Sequence, residues 1–309
     1  MMNRQIRMKI SHPTETFGNA LEYFIQEKQA LGAVPATLKT YRTHLSILSK
    51  WIPFDSAVDR IDQKLVNRIV SDMVSSGLAP RSIQSYIVSL RAFLSYCREQ
   101  RWTAQTVRSY RAPEVIKSTY TDEELMTMLE RPDDDCSFEE YRTWVIINLL
   151  VNNGCRCGTI VAIQVQDVGE YSIQTRHNKN KRVQTLPLGE EMKRILKEYM
   201  EIRCGEPTDA LFCDRHGDPI TENTIKCALK RYNQKRGIKS CSIHKFRHTF
   251  ARKYLMDCNG DAFTLQKLLG HSTLDMTKHY CTIYDAELAK DYDRRSPLAN
   301  LKAKSKARK

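Results

Sequence analysis

Between Ser242 and Tyr280 the chain places the imidazoles of His244 and His271, the guanidinium of Arg247 and the phenol of Tyr280 at spacings that short helices would bring together. His244 and Arg247 lie three apart in a helical pattern, so both project from one face. A second helical run, Thr264 to Leu269, stops at Gly270, with His271 on the turn that follows. A third, Leu274 to His279, leads to Tyr280. Breaking a phosphodiester without metal needs an attacking group, cations on the non-bridging oxygens, an acid for the leaving oxygen and enforced geometry. A phenol, two imidazoles and a guanidinium supply much of that set.

The cations require a second source. Tyr141 to Asn152 is the most apolar segment and reads as a central buried helix that ends at Asn153-Gly154. Cys155-Arg156-Cys157-Gly158 follows on the turn, and Arg156 joins Arg247 as a candidate phosphate holder, since a guanidinium stays charged and bonds phosphate in a fork. Tyr171 to Thr175 alternates as a strand, Arg176 to Arg182 forms a basic tip, and Val183 to Pro187 returns as a second strand. The tip offers lysines that could protonate a leaving oxygen. Helices are predicted at Glu190 to Arg203, Thr221 to Arg236 and, past Tyr280, Asp285 to Asp293. Thr121-Asp-Glu-Glu opens this half with a capping-box pattern.

Ahead of it come four helical segments: Thr14 to Ala30, Pro35 to Trp51, Asp62 to Ser76 and Pro80 to about Arg101, with apolar stripes and short connections that make an all-helical bundle. Two faces left outside it interleave hydroxyls, amides and cations. Lys39, Thr40, Arg42, Thr43 and His44 lie on the second helix, and Arg81, Ser82, Gln84, Ser85 and Arg91 on the fourth. Such groups bond phosphate oxygens and base edges. Trp102 to Thr119 has no clean periodicity and reads as a basic linker. No internal repeat stands out.

The 309 residues hold 49 Lys and Arg against 36 Asp and Glu, a net charge of +13. That excess favours a polyanionic partner. Ten cysteines are scattered without metal spacing, and Asp133 to Asp135 is the only dense acidic run, so no metal site is expected. With no secretory signal and no apolar run of bilayer length, a cytoplasmic, nucleoid-associated protein with reduced thiols and no membrane contact is expected.

Gly154-x-Arg156, a hairpin lysine, His244-x-x-Arg247-His-Thr-Phe-Ala, Leu269-Gly270-His271 and Tyr280 occur in one order at one set of spacings. Together they resemble the tyrosine recombinase (phage integrase) family across nearly the whole chain. The resemblance implies a mainly α fold with a small β-sheet: an N-terminal helical, SAM-like core-binding bundle (14–102) and a mixed α/β catalytic domain (121–296). A basic arm (1–13), a linker (103–120) and a basic tail (297–309) complete the plan. It implies that Tyr280 attacks the scissile phosphate to give a 3′-phosphotyrosyl link, that Arg156 and Arg247 hold the phosphate, that His244 helps to accept the tyrosine proton and that His271 bonds a phosphate oxygen. The hairpin acid is Lys179, eight residues before Pro187, with Lys181 the alternative; Lys181 and Arg182 then serve as phosphate contacts. Tyr284 is a rival nucleophile without the family's spacing from His271. No cofactor or ATP is implied. The implied partners are duplex DNA with short inverted-repeat core sites, a homotetramer on two sites, and an accessory DNA-bending or directionality protein.

One position departs from the family: three residues after the first arginine, where an acidic residue is usual, the chain has Thr159. Support for Arg156 is then weaker, or comes from another carboxylate such as Asp167. The N-terminus is expected to be too short for a separate arm-binding domain. Thr159 and the basic tail favour integration and excision of a mobile element over a host resolving recombinase or an inversion switch. A type IB topoisomerase and a non-catalytic DNA-binding regulator are the competing readings.

Overall fold

In the computed structural model, residues 15–113, 118–175, 184–258, 260–271, 273 and 296 are described. The chain divides into two compact units, Met1–Val115 and Ile116–Lys309.

The first unit is built from α1 (Phe17–Ala30), α2 (Pro35–Leu48), α3 (Gln63–Ser75) and α4 (Pro80–Glu99). Thr16 caps α1 by accepting from Asn19 N at 3.3 Å, and Asp62 caps α3 by accepting from Leu65 N at 2.8 Å. These side chains satisfy N–H groups that a helix start leaves unpaired. Pro35 and Pro80 sit in the first turns of α2 and α4, where proline's fixed φ suits the helix and its missing N–H costs nothing. The apolar stripes meet in one core, with Phe17, Phe24 and Phe93 stacked edge to face.

No internal repeat stands out in the sequence, but several local features recur in the two halves of this bundle. They recur between the α1–α2 and α3–α4 hairpins at an offset of 45 residues, the separation of the contacting pair His44 and Ser89. Gly32 and Gly77 both take positive φ in the turns, and Thr40 and Ser85 both donate back to the carbonyl four residues upstream. The match was hidden because few side chains are identical; backbone turn and polarity repeat instead. The expected linker also differs, since Val107 is buried in this core and Tyr120 in that of the second unit.

The second unit contains α5 (Asp122–Leu129), α6 (Phe138–Asn153), α7 (Cys157–Ala162), β1 (Ser172–Thr175), β2 (Gln184–Pro187), α8 (Glu190–Arg203), α9 (Glu222–Lys235), α10 (Ile243–Met256) and α11 (Ala262–Leu269). The two strands pair antiparallel, Ser172 opposite Pro187 and Thr175 opposite Gln184. The capping box expected at Thr121 is formed with Glu124. As expected, α6 is the central helix, buried around most of its circumference. Helix α7 was not anticipated; six residues are too few to reveal a helical period. Asp261, capping α11 through Phe263 N and Thr264 N, was likewise overlooked. The hairpin tip, the runs Leu274 to His279 and Asp285 to Asp293, the basic arm and the tail lie outside the described residues. No helix among the described residues is long and apolar enough to cross a membrane.

Candidate active site

Helix α6 ends at Gly154 in the left-handed conformation, φ +57°. A Cβ there would lie 2.6 Å from Phe250 Cδ1, so both the backbone and the packing of α10 require glycine. The reversal aims Arg156, the residue preceding α7, towards the far end of α11. Arg156 Nη1 donates to Leu269 O at 3.3 Å and to Gly270 O at 3.4 Å. Arg247, on α10, donates from Nη1 to Gly154 O at 3.0 Å and from Nη2 to Leu269 O at 2.8 Å. Two guanidinium groups therefore share one carbonyl, at the helix end whose dipole favours cations.

Arg247 is buried, with 5% of its surface exposed. Arg156, the exposed His244 and the buried His271 line a cleft of about 1800 Å³. Lys226, Lys230, Lys239 and Lys267 add further cations to its wall, against Glu222. His271 is fixed through its backbone: its N–H donates to Gln266 O at 3.0 Å, and its carbonyl accepts from Gln266 Nε2 at 3.3 Å.

Thr159 is buried in α7, and Asp167 accepts from Gln164 N at 2.9 Å. Among the described residues the hydrogen bonds of Arg156 go to backbone carbonyls, not to either of these side chains. Burial pushes the flanking thiols up, Cys155 to about 12 and Cys157 to about 11, so both stay protonated at neutral pH.

Tyr120, which the sequence left in a linker, positions α10. Its N–H donates to Thr249 Oγ1 at 2.8 Å, its hydroxyl accepts from Ser242 N at 3.1 Å, and its ring lies 4.2 Å from Lys245 Nζ. A tyrosine just ahead of the Thr121 cap was the available signal, but its contacts are more than a hundred residues away in sequence. Gln184 was also missed; its Nε2 donates to Leu268 O at 2.6 Å. Tyr280, Lys179, Lys181 and Arg182 fall outside the described residues, as does Tyr284.

In the first unit Lys39, Thr40, Arg42 and Thr43 are exposed on α2, and Arg81 and Arg91 on α4, with Ser82, Gln84 and Ser85 half-buried. Arg42 forms a two-pronged pair with Glu22 at 2.7 and 2.9 Å, and Arg81 donates to Gln84 at 3.0 Å. His44 turns inward: Nδ1 lies 2.8 Å from Ser89 Oγ and the ring packs edge-on to Tyr86. Burial lowers its pKa, partly offset by a backbone hydrogen bond at Ser85.

Residues 119–287 match the model of the phage integrase family, and residues 21–101 that of the phage integrase N-terminal SAM-like domain. Tyrosine recombinase XerD of Staphylococcus aureus is 24% identical over 289 residues, covering 89% of this chain and 97% of the relative. The relative of that name in Staphylococcus epidermidis is 25% identical over 292 residues, with the same shares covered. Among solved structures, a lambda integrase tetramer bound to a Holliday junction superposes with a TM-score of 0.71 at 20% identity, over 88% of this chain and 80% of that one. The Tn1549 transposon integrase in complex with transposon right end DNA gives 0.68 at 18% identity, over 90% and 99%. The class defined is a site-specific DNA recombinase of the tyrosine type. The chain belongs to the phage integrase family.

Proposed function

We propose that Tyr280 is the nucleophile and that strand exchange proceeds through a 3′-phosphotyrosyl intermediate. The phenol oxygen bonds to phosphorus, the bond from phosphorus to the 5′ oxygen breaks, His244 helps to take the phenolic proton and Lys179 protonates the leaving oxygen. Arg156 and Arg247 offset the charge that grows on the non-bridging oxygens, and His271 bonds one of them. Attack by a 5′-hydroxyl of the partner strand reverses these steps, so the bond energy is kept and no ATP is consumed.

The observation that carries this reading is the convergence of both guanidinium groups on the Leu269 carbonyl beside a cleft bearing His244 and His271. The exposed Lys39, Thr40, Arg42 and Thr43 of α2 and Arg81 and Arg91 of α4 hold the duplex, with the half-buried Ser82, Gln84 and Ser85 beside them and Lys181 and Arg182 on the phosphates near the cut; His44, turned inward on Ser89, is left out of this set. Four protomers act on two inverted-repeat core sites, consistent with the tetrameric lambda integrase neighbour. The role is integration and excision of a mobile element, assisted by a DNA-bending or directionality protein.

A nicked suicide substrate tests the chemistry. Tyr280→Phe is expected to abolish the covalent adduct while keeping duplex binding; an adduct that persists overturns the assignment. Cleavage at inverted repeats flanking the coding region tests the mobile-element role, which is overturned if the purified protein recombines only sites remote from any such repeat.

A further inference from the structure

The last carbonyls of α11 and the turn after it have a complete set of donors. Gly270 N and His271 N occupy the Gln266 and Lys267 oxygens. Gln184 Nε2 takes Leu268 O, Arg156 and Arg247 share Leu269 O, and Arg156 also reaches Gly270 O. Helix ends leave such carbonyls without intrahelical partners, and here they become the backing of the two guanidinium groups. Each N–H spent on a carbonyl fixes the plane of its guanidinium and so decides where the remaining N–H groups point.

Gln184, unlike the two arginines, donates from a neutral side chain, and it comes from β2, not from α11 itself or from the elements that carry the arginines. It is buried, its carbonyl accepts from Thr175 Oγ1 at 3.0 Å across the strand pair, and a Cβ on Gly270 would lie 3.1 Å from its Cδ. Both the bond to Leu268 O and the packing on Gly270 thus bracket the Leu269 carbonyl from either side. We propose that Gln184 is a positioning residue that fixes the α11 terminus against the sheet and thereby sets the orientation of Arg156 and Arg247. This rests on the reading that the two arginines hold the scissile phosphate.

The experiment compares single-turnover adduct formation on two suicide substrates, one with an ordinary scissile phosphate and one with a methylphosphonate there. Replacing a non-bridging oxygen by methyl removes the negative charge that the arginines offset. Gln184→Met keeps the bulk and loses the donor. It is expected to slow the ordinary substrate about tenfold, less than the roughly 10²-fold that a 1 Å misplacement can cost. On the methylphosphonate the gap to the parent protein is expected to shrink to about twofold, a change that a merely structural defect would not make. Gln184→Lys, which retains a donor of similar reach, is expected to return most of the rate. Arg247→Ala is the control: if the methylphosphonate fails to relieve it, the phosphate-holding reading falls. If Arg247→Ala is relieved while the Gln184→Met defect is absent or the same on both substrates, the positioning role is overturned. Should Gln184→Met not fold, Gly270→Ala, which presses a methyl on the Gln184 amide, gives the same two readouts with the same two outcomes.

Discussion

Arg156 and Arg247 meet at a single atom, the Leu269 carbonyl oxygen, which accepts from Arg156 Nη1 at 3.3 Å and from Arg247 Nη2 at 2.8 Å. A lysine has one charged nitrogen and cannot span two carbonyls while facing a phosphate. Arg247→Lys is therefore expected to keep the fold and duplex binding but to slow adduct formation by about 10²- to 10³-fold, the range for loss of one preorganised donor. Rapid-quench assay on the suicide substrate measures it.

The turn that delivers Arg156 depends on Gly154, whose φ of +57° and 2.6 Å approach to Phe250 leave no room for a methyl. Left-handed backbone costs roughly 1–2 kcal/mol outside glycine, and overpacking adds roughly 1–3 kcal/mol. Gly154→Ala is expected to lower stability by their sum, roughly 2–5 kcal/mol, in urea denaturation, and to impair cleavage more than binding.

His44 gives a pH dependence. Its folded pKa lies below the usual value of about 6.5 because burial disfavours the imidazolium. Below that usual value the unfolded chain takes up a proton that the folded chain resists, so stability falls as pH drops through the window between the two values. Melting temperature is expected to decline as pH falls below the usual histidine value of about 6.5, and His44→Gln is expected to remove part of that decline. At neutral pH the uncharged ring adds no counterion release, so the same variant leaves the salt slope of DNA binding unchanged.

Cys155 and Cys157 flank a cationic residue yet remain thiols, raised to about 12 and about 11 by burial. Iodoacetamide on the native protein is expected to label the exposed Cys204, Cys227 and Cys258 and to spare this pair, as read by peptide mass spectrometry. Unfolding in urea is expected to make the pair reactive.

The bundle helices, the central helix, the strand pair and the turns at Gly154 and Gly270 were all readable, because apolar period, caps and glycine punctuation are local. Short α7 was not, since six residues hold too little period. Val107 and Tyr120 were misread as linker because the segment has no helical or strand period, and its packing, with Trp102 and Tyr110 beside Val107 and with α10 for Tyr120, is made by isolated side chains. The recurrence of a turn glycine and a back-bonding hydroxyl at an offset of 45 residues escaped notice because identical residues, such as Gly32 and Gly77 or Pro35 and Pro80, are few and scattered.

By itself the sequence named the candidate groups and their order: Arg156, His244, Arg247 and His271 among the described residues, with Lys179 and Tyr280 proposed from outside them. Only tertiary structure decided what holds them. With an acidic residue missing at Thr159, Arg156 is backed by the carbonyls of Leu269 and Gly270, 113 and 114 residues further along the chain. A backbone carbonyl is present at every residue and is marked by none. Which one becomes an acceptor depends on where a helix ends and what packs against that end.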